Sequence, residues 1–219
     1  MTHIKTCIIN CLTLAALLIV SPAFSASDDA KKLNRHTGSG DPVAGKAKSQ
    51  ICQGCHGVNG NSLDEFMPKL AGQYDEYIIK QMKNYLAGIR SHEIMNGMAS
   101  PLSDQDIADI GAYFSKQEIM KGRGWTNDER GVEIYTKGGD RSKMVMTCLH
   151  CHGERGKGLD QSTAMYPVIG GQHKAYLVKQ MVDFREDDRL NSPNTIMNKI
   201  VRSLSDKDIE AVSEYLSVQ

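Results

Sequence analysis

Cys52-Gln53-Gly54-Cys55-His56 and, in the same frame, Cys148-Leu149-His150-Cys151-His152 decide how this chain is read. Two thiols three residues apart with a histidine directly after them form the attachment signal for c-type haem. Each thiol can form a thioether with one haem vinyl group, and the histidine then lies under the iron as its proximal ligand. Two motifs predict two covalently bound haem c groups. Cys52, Cys55, Cys148 and Cys151 would hold them, with His56 and His152 on the irons. A zinc ribbon would bring the two Cys-x-x-Cys pairs together, usually across about 15–20 residues. Here 92 residues separate them. A thioredoxin-like pair needs a βαβ setting, and no alternating strand pattern is visible.

The N-terminus reads as an export signal. Lys5 is basic, and Cys7 to Val20 is an apolar run interrupted only by Asn10 and Thr13. Ser21-Pro22-Ala23-Phe24-Ser25-Ala26 supplies small residues for cleavage after Ala23, Ser25 or Ala26. The apolar run is shorter than the roughly 20 residues of a membrane span. Removing residues 1–26 takes away Cys7 and Cys11, so every remaining cysteine lies in a haem motif. Export suits the chemistry, because c-type haem is attached outside the cytoplasm. The expected location is the periplasm. Basic and acidic side chains balance at 26 each, so no basic surplus points to nucleic acid.

Around the motifs the chain repeats itself. Pro68-Lys69-Leu70-Ala71-Gly72-Gln73 matches Pro167-Val168-Ile169-Gly170-Gly171-Gln172. Tyr77-Ile78-Ile79-Lys80-Gln81-Met82 matches Tyr176-Leu177-Val178-Lys179-Gln180-Met181, and Leu102-Ser103-Asp104-Gln105-Asp106-Ile107 matches Leu204-Ser205-Asp206-Lys207-Asp208-Ile209. The expected organisation is a signal peptide at 1–26, a polar arm at 27–40, a first domain at 41–118, an exposed linker at 119–126 and a second domain at 127–219.

Each half predicts three helices, and the fold class is all-α. The first runs from Asp41 to about Ile51, and from roughly Asn127 to Lys137. The second is Tyr74 to Leu86, with Tyr74, Tyr77, Ile78, Met82, Tyr85, Leu86 and Ile89 on an apolar stripe. Its counterpart is Lys174 to Arg185, with Leu177, Met181 and Phe184 on one face. The third begins after Ser103 or Ser205, each an N-cap with an acidic residue three positions on. It buries Ile107, Ile110 and Phe114, or Ile209, Val212 and Leu216. A half this small has little core of its own, and haem would supply apolar surface for the helices to pack on.

A proximal histidine leaves one iron position open, and methionine commonly fills it in electron-transfer cytochromes. The repeat selects the candidates. Met95 lies seven residues before Leu102, and Met197 seven before Leu204. Met98 aligns with Ile200 and Met67 with Tyr166, so neither is a repeated ligand. Met82 and Met181 correspond but sit on helical stripes, which reads as core. Met95 and Met197 read as loop residues ahead of a helix. His92 has Asn194 as its counterpart, His150 reads as a surface residue, His36 lies in the arm, and His173 reads as a local hydrogen-bonding residue. Glu186-Asp187-Asp188 reads as a solvated face.

These strings, with Cys-Gln-Gly-Cys-His-Gly-Val-Asn-Gly-Asn-Ser from Cys52, Gly-Gly-Gln-His from Gly170 and Asp-Phe-Arg-Glu from Asp183, resemble the cytochrome c4 family over residues 41–219. The resemblance implies two tandem class I cytochrome c domains about a pseudo-twofold axis. It implies His–Met ligation of both irons, falling here on His56 with Met95 and His152 with Met197. It also implies a periplasmic electron carrier, often membrane-associated, between a quinol-oxidising complex and a terminal oxidase. The longer stretch from Gly138 to Met146, with Arg141 and Lys143, matches an extension in the family's second domain. The rival function is a dihaem peroxidase, which needs an iron that is open or can open. A carrier saturated by His and Met has no such position and is not an enzyme.

Overall fold

The computed structural model describes residues 38–126, 128–138, 146–159 and 165–219. The expected signal peptide, the arm up to residue 37, Asn127, Arg141 and Lys143 lie outside the described residues. Both halves belong to one compact unit. The first contains α1 (Pro42–Lys48), α2 (Gln50–His56), α3 (Asp75–Leu86), α4 (Glu93–Ala99) and α5 (Asp104–Ser115). The second contains α6 (Glu129–Lys137), α7 (Cys148–His152), α8 (Lys174–Arg185), α9 (Ile196–Val201) and α10 (Asp206–Ser217). No strand occurs among the described residues.

Local chemistry sets the helix ends. Asp41 accepts from Val43 N at 2.8 Å, and Pro42 occupies the first turn, where its missing N–H costs nothing. Asp128 caps α6 by accepting from Gly131 N at 3.1 Å. Ser103 and Ser205 each form a reciprocal capping box, with Asp106 and Asp208; such a cap contributes about 1 kcal/mol. The first predicted helix does not run on to Ile51. It ends at Ser49, and α2 restarts at once to carry the first Cys-x-x-Cys-His.

In each half the first helix crosses the last, α1 on α5 and α6 on α10, while α3 and α8 pack on the same last helices. The crossings are close because glycine sits at both. A Cβ on Gly45 would lie 1.9 Å from the Asp109 carbonyl oxygen, and one on Gly131 would lie 2.3 Å from that of Ala211. One core gathers Ile78, Met82, Tyr85, Ile107, Ile110 and Phe114. The other gathers Ile134, Tyr135, Leu177, Phe184, Ile209, Val212 and Leu216. Leu86 and Ile89 depart from the predicted stripe and are exposed, because α3 ends at Leu86 and the chain turns away there.

The segment expected to be an exposed linker is anchored at its start. Met120 is fully buried with Tyr74 and Val168, Ile119 packs against them, and Met120 N donates to Ala71 O at 3.0 Å. A connection that crosses the junction of two domains lies where apolar surface is being closed off, and a flexible thioether fills such a gap well.

Candidate haem sites

Three residues apart on one helical turn, the two thiols of each motif lie on neighbouring positions of one face. Cys52 packs against the first core and Cys148 against the second. Burial pushes the Cys52 and Cys151 thiols up and Cys148 up to about 11. His56 and His152, which end α2 and α7, are both buried. His56 Nδ1 lies 2.8 Å from Pro68 O, and His152 Nδ1 lies 2.8 Å from Pro167 O. A carbonyl can only accept, so each Nδ1 carries the proton and each Nε2 offers a lone pair. Burial lowers both histidines, against the smaller opposite effect of the carbonyl bond. The neutral form is the one that ligates a metal. No group of three or more His, Cys, Asp or Glu suited to a metal ion occurs among the described residues.

Met95 and Met197 do not lie in loops. Each sits on a short helix, α4 or α9, too brief to show a helical period in sequence. Met95 packs on the core that Cys52 touches, and Met197 on the core that Cys148 touches. The next residue anchors each helix. Asn96 Nδ2 donates to Tyr85 O at 2.6 Å, and Asn198 Nδ2 to Phe184 O at 2.8 Å. Met82 is buried in the first core, as its stripe position predicts. His92 is the exposed N-cap of α4, with Nδ1 accepting from Met95 N at 3.4 Å. His150 is exposed, and His36 lies outside the described residues. His173 is not local in its bonding: Nε2 lies 2.8 Å from Ser62 Oγ and 3.1 Å from Ser62 O in the other half. Asp187 is more than a solvated charge, since it pairs with Arg202 at 2.7 Å and accepts from Asn198 at 3.1 Å.

A polar network that sequence reasoning missed joins the halves. Arg90 donates to Gln81 at 2.8 Å in its own half, and to Gln180 at 2.7 Å and Tyr176 at 3.2 Å in the other. Arg189, nearly fully buried, donates to Gln180 at 2.5 Å in its own half, and to Tyr77 at 3.1 Å and Gln81 at 3.2 Å in the other. Each guanidinium also stacks on its own half's aromatic ring, Arg90 on Tyr85 at 4.9 Å and Arg189 on Phe184 at 4.4 Å. Tyr77, Gln81 and Arg90 correspond to Tyr176, Gln180 and Arg189 at a constant offset. Extending the repeat beyond Met82 would have found the arginines.

Neither arginine has a carboxylate partner among the described residues. Burial lowers the nearby Lys80 ammonium, and the charges of Arg189 and Arg90 lower it further. Burial would push the Tyr77 hydroxyl up, but the same two charges reverse the sign. The Gln81 Nε2 amide is buried without a partner. A buried cation without a carboxylate partner, as at Arg189, is costly. A cofactor that brings carboxylates, as haem does with its propionates, fits such a donor set.

Two helical halves, each with a Cys-x-x-Cys-His helix and a carbonyl-bonded histidine, define a tandem c-type cytochrome. The cytochrome c family model matches residues 43–118 and 129–218. The chain is 43% identical to cytochrome c4 of Pseudomonas aeruginosa over 178 residues, covering 81% of this chain and 88% of that protein. It is 42% identical to cytochrome c4 of Stutzerimonas stutzeri over 187 residues, with coverage of 81% and 88%. The crystal structure of reduced recombinant cytochrome c4 from Pseudomonas stutzeri matches with a TM-score of 0.77 at 40% identity, covering 82% of this chain and 99% of that one. The chain belongs to the cytochrome c4 family, as a dihaem electron-transfer cytochrome with two covalently bound haem c groups.

Proposed function

We propose that this chain is a periplasmic carrier that takes electrons from a quinol-oxidising complex and delivers them toward a terminal oxidase. In this reading His56 and Met95 hold the first iron, and His152 and Met197 hold the second. The observation that carries it is the pairing of thiol and thioether on each core, Cys52 with Met95 and Cys148 with Met197. Haem iron held by His and Met moves between ferric and ferrous states and leaves no position for peroxide. The residues do the rest. Cysteines fix the cofactor, Pro68 and Pro167 orient the imidazoles, and Asn96 and Asn198 hold the methionine helices in place. Cleavage after residues 23–26 releases the chain from its export signal. No described helix is long and apolar enough to cross a membrane, and association with the inner membrane would be peripheral.

A redox titration followed by absorption spectroscopy tests the ligation. Two low-spin haems with the weak near-infrared band of iron–methionine bonding are expected. Met197→Ala should keep both haems attached and lower one potential, while Met95→Ala lowers the other. Unchanged potentials would refute the assignment. Peroxide turnover at enzymatic rates would favour the peroxidase.

A further inference from the structure

Two glutamines reach across the junction to the peptide groups that orient the opposite histidines. Gln172, in the second half, accepts from Lys69 N at 2.9 Å and donates from Nε2 to Lys69 O at 2.9 Å. Gln73, in the first half, accepts from Val168 N at 2.9 Å and donates to Val168 O at 2.8 Å. Both glutamines are buried. Lys69 N–H and Pro68 C=O belong to the same peptide plane, as do Val168 N–H and Pro167 C=O. One plane therefore faces His56 with its oxygen and Gln172 with its hydrogen. The other faces His152 and Gln73 in the same way.

We infer that Gln73 and Gln172 are positioning residues acting in trans, each setting the proximal histidine of the other half's haem. The inference rests on His56 and His152 being the iron ligands. Two physical effects point the same way. The amide holds the residue after the proline at both its N–H and its C=O, on the two peptide groups that flank it, and so fixes the direction of the proline carbonyl that the imidazole meets. An acceptor on the N–H also polarises the peptide, which makes its oxygen a better acceptor for the imidazole Nδ1–H. A stronger bond at Nδ1 gives a more basic ligand at Nε2. A more basic ligand favours the ferric state and lowers the potential. Removing the clamp should raise it.

The test is a crossed pattern in the haem-loaded protein. Gln172→Met keeps size and removes both amide bonds. It should raise the potential of the His56 haem more than that of the His152 haem in the same half as the substitution. Gln73→Met should do the reverse. Redox titration monitored by NMR of the haem methyl groups assigns each potential to its haem. Solvent exchange of the His56 Nδ1–H should quicken in Gln172→Met, by less than the roughly fivefold that outright loss of one neutral hydrogen bond would give. Gln172→Glu keeps an acceptor on Lys69 N–H and should not raise the first potential; it also serves if the Met variant fails to fold. A shift confined to the haem in the glutamine's own half, equal shifts at both haems, or a rise with Gln172→Glu would overturn the inference. Loss of low-spin histidine-ligated spectra in the parent protein would instead overturn the ligation on which it rests.

Discussion

The two methionine-bearing segments reach the same place by different routes. In the first half, His92 caps α4 with its ring, and Asn96 Oδ1 accepts from His92 N at 2.7 Å. The entry is relaxed. In the second half, a single 3-10 turn at Pro193–Thr195 leads into α9, and Asn194 and Thr195 both have φ of 52°. Ser192 Oγ takes over the cap by accepting from Met197 N at 3.2 Å. What the halves share is the asparagine after the methionine, bonded to the backbone of α3 or α8. The anchor fixes the methionine, and the entry adapts to it.

The strongest way to break that view is to remove the anchors. Asn198 is 2% exposed, and its amide is shared by Phe184 O at 2.8 Å, Arg189 O at 2.9 Å and Asp187 Oδ1 at 3.1 Å. Asn198→Ala should strand two buried carbonyls and cost about 2–3 kcal/mol. Asn96 donates to one carbonyl and is less enclosed, so Asn96→Ala should cost about 1 kcal/mol. Denaturant unfolding of the holoprotein measures both. Equal losses would mean the anchors are not the controlling element.

The arginines sharpen the comparison. A buried cation favours the ferrous state, which carries one less positive charge. Arg189→Gln and Arg90→Gln should therefore lower the potentials. Arg189 is the more enclosed of the two, so its loss should lower them further. Redox titration decides, and potentials that rise would show that the guanidiniums do not act through charge.

Much of this was legible in the sequence. Capping boxes at Ser103 and Ser205 and the helix stripes came from short-range chemistry, while repeated spacing selected Met95 and Met197 as the proposed ligands. The helices α4 and α9 were not legible, because six or seven residues are too few to show a period. The crossed glutamines and arginines were visible as residues but not as partners. Gln73, Gln172, Gln81 and Gln180 repeat in the two halves, yet sequence alone cannot tell a repeated polar residue that faces water from one that faces the other half. The same gap hid the anchoring of Met120, which reads as linker until both domains are in place.

Strain at the second entry offers a smaller effect. A β-branched residue in the left-handed region costs on the order of 1–3 kcal/mol, and Thr195 is one. Thr195→Gly removes that cost but adds freedom to the unfolded chain, worth roughly 0.4–1 kcal/mol in the other direction. A net gain of about 0.5 kcal/mol is expected in denaturant unfolding. The same exchange at the equivalent relaxed entry, Glu93→Gly at the start of α4, should destabilise. A loss at Thr195 would mean that its backbone is not strained.

The smallest expected difference lies at Tyr74 and His173, which hold equivalent positions ahead of α3 and α8. Tyr74 OH donates to Leu159 O at 2.6 Å across the junction, and His173 meets Ser62 from the other side. Only the histidine titrates near neutrality. Burial lowers its pKa and the Lys69 charge lowers it further, against weaker opposite effects from Ser62 O, Asp64 and Glu65. The unfolded chain then binds this proton more readily than the folded one below about pH 6.5. Stability should fall as pH drops from about 6.5 toward the lower folded value, and it is fully present above that window. His173→Tyr makes the halves alike at this position and should remove that part of the slope. Holoprotein melting temperatures between about pH 7.5 and 5 would show it as two curves that converge at high pH and separate on acidification. Parallel curves would mean that the His173–Ser62 contact does not sense the proton, and that tyrosine and histidine serve the junction equally.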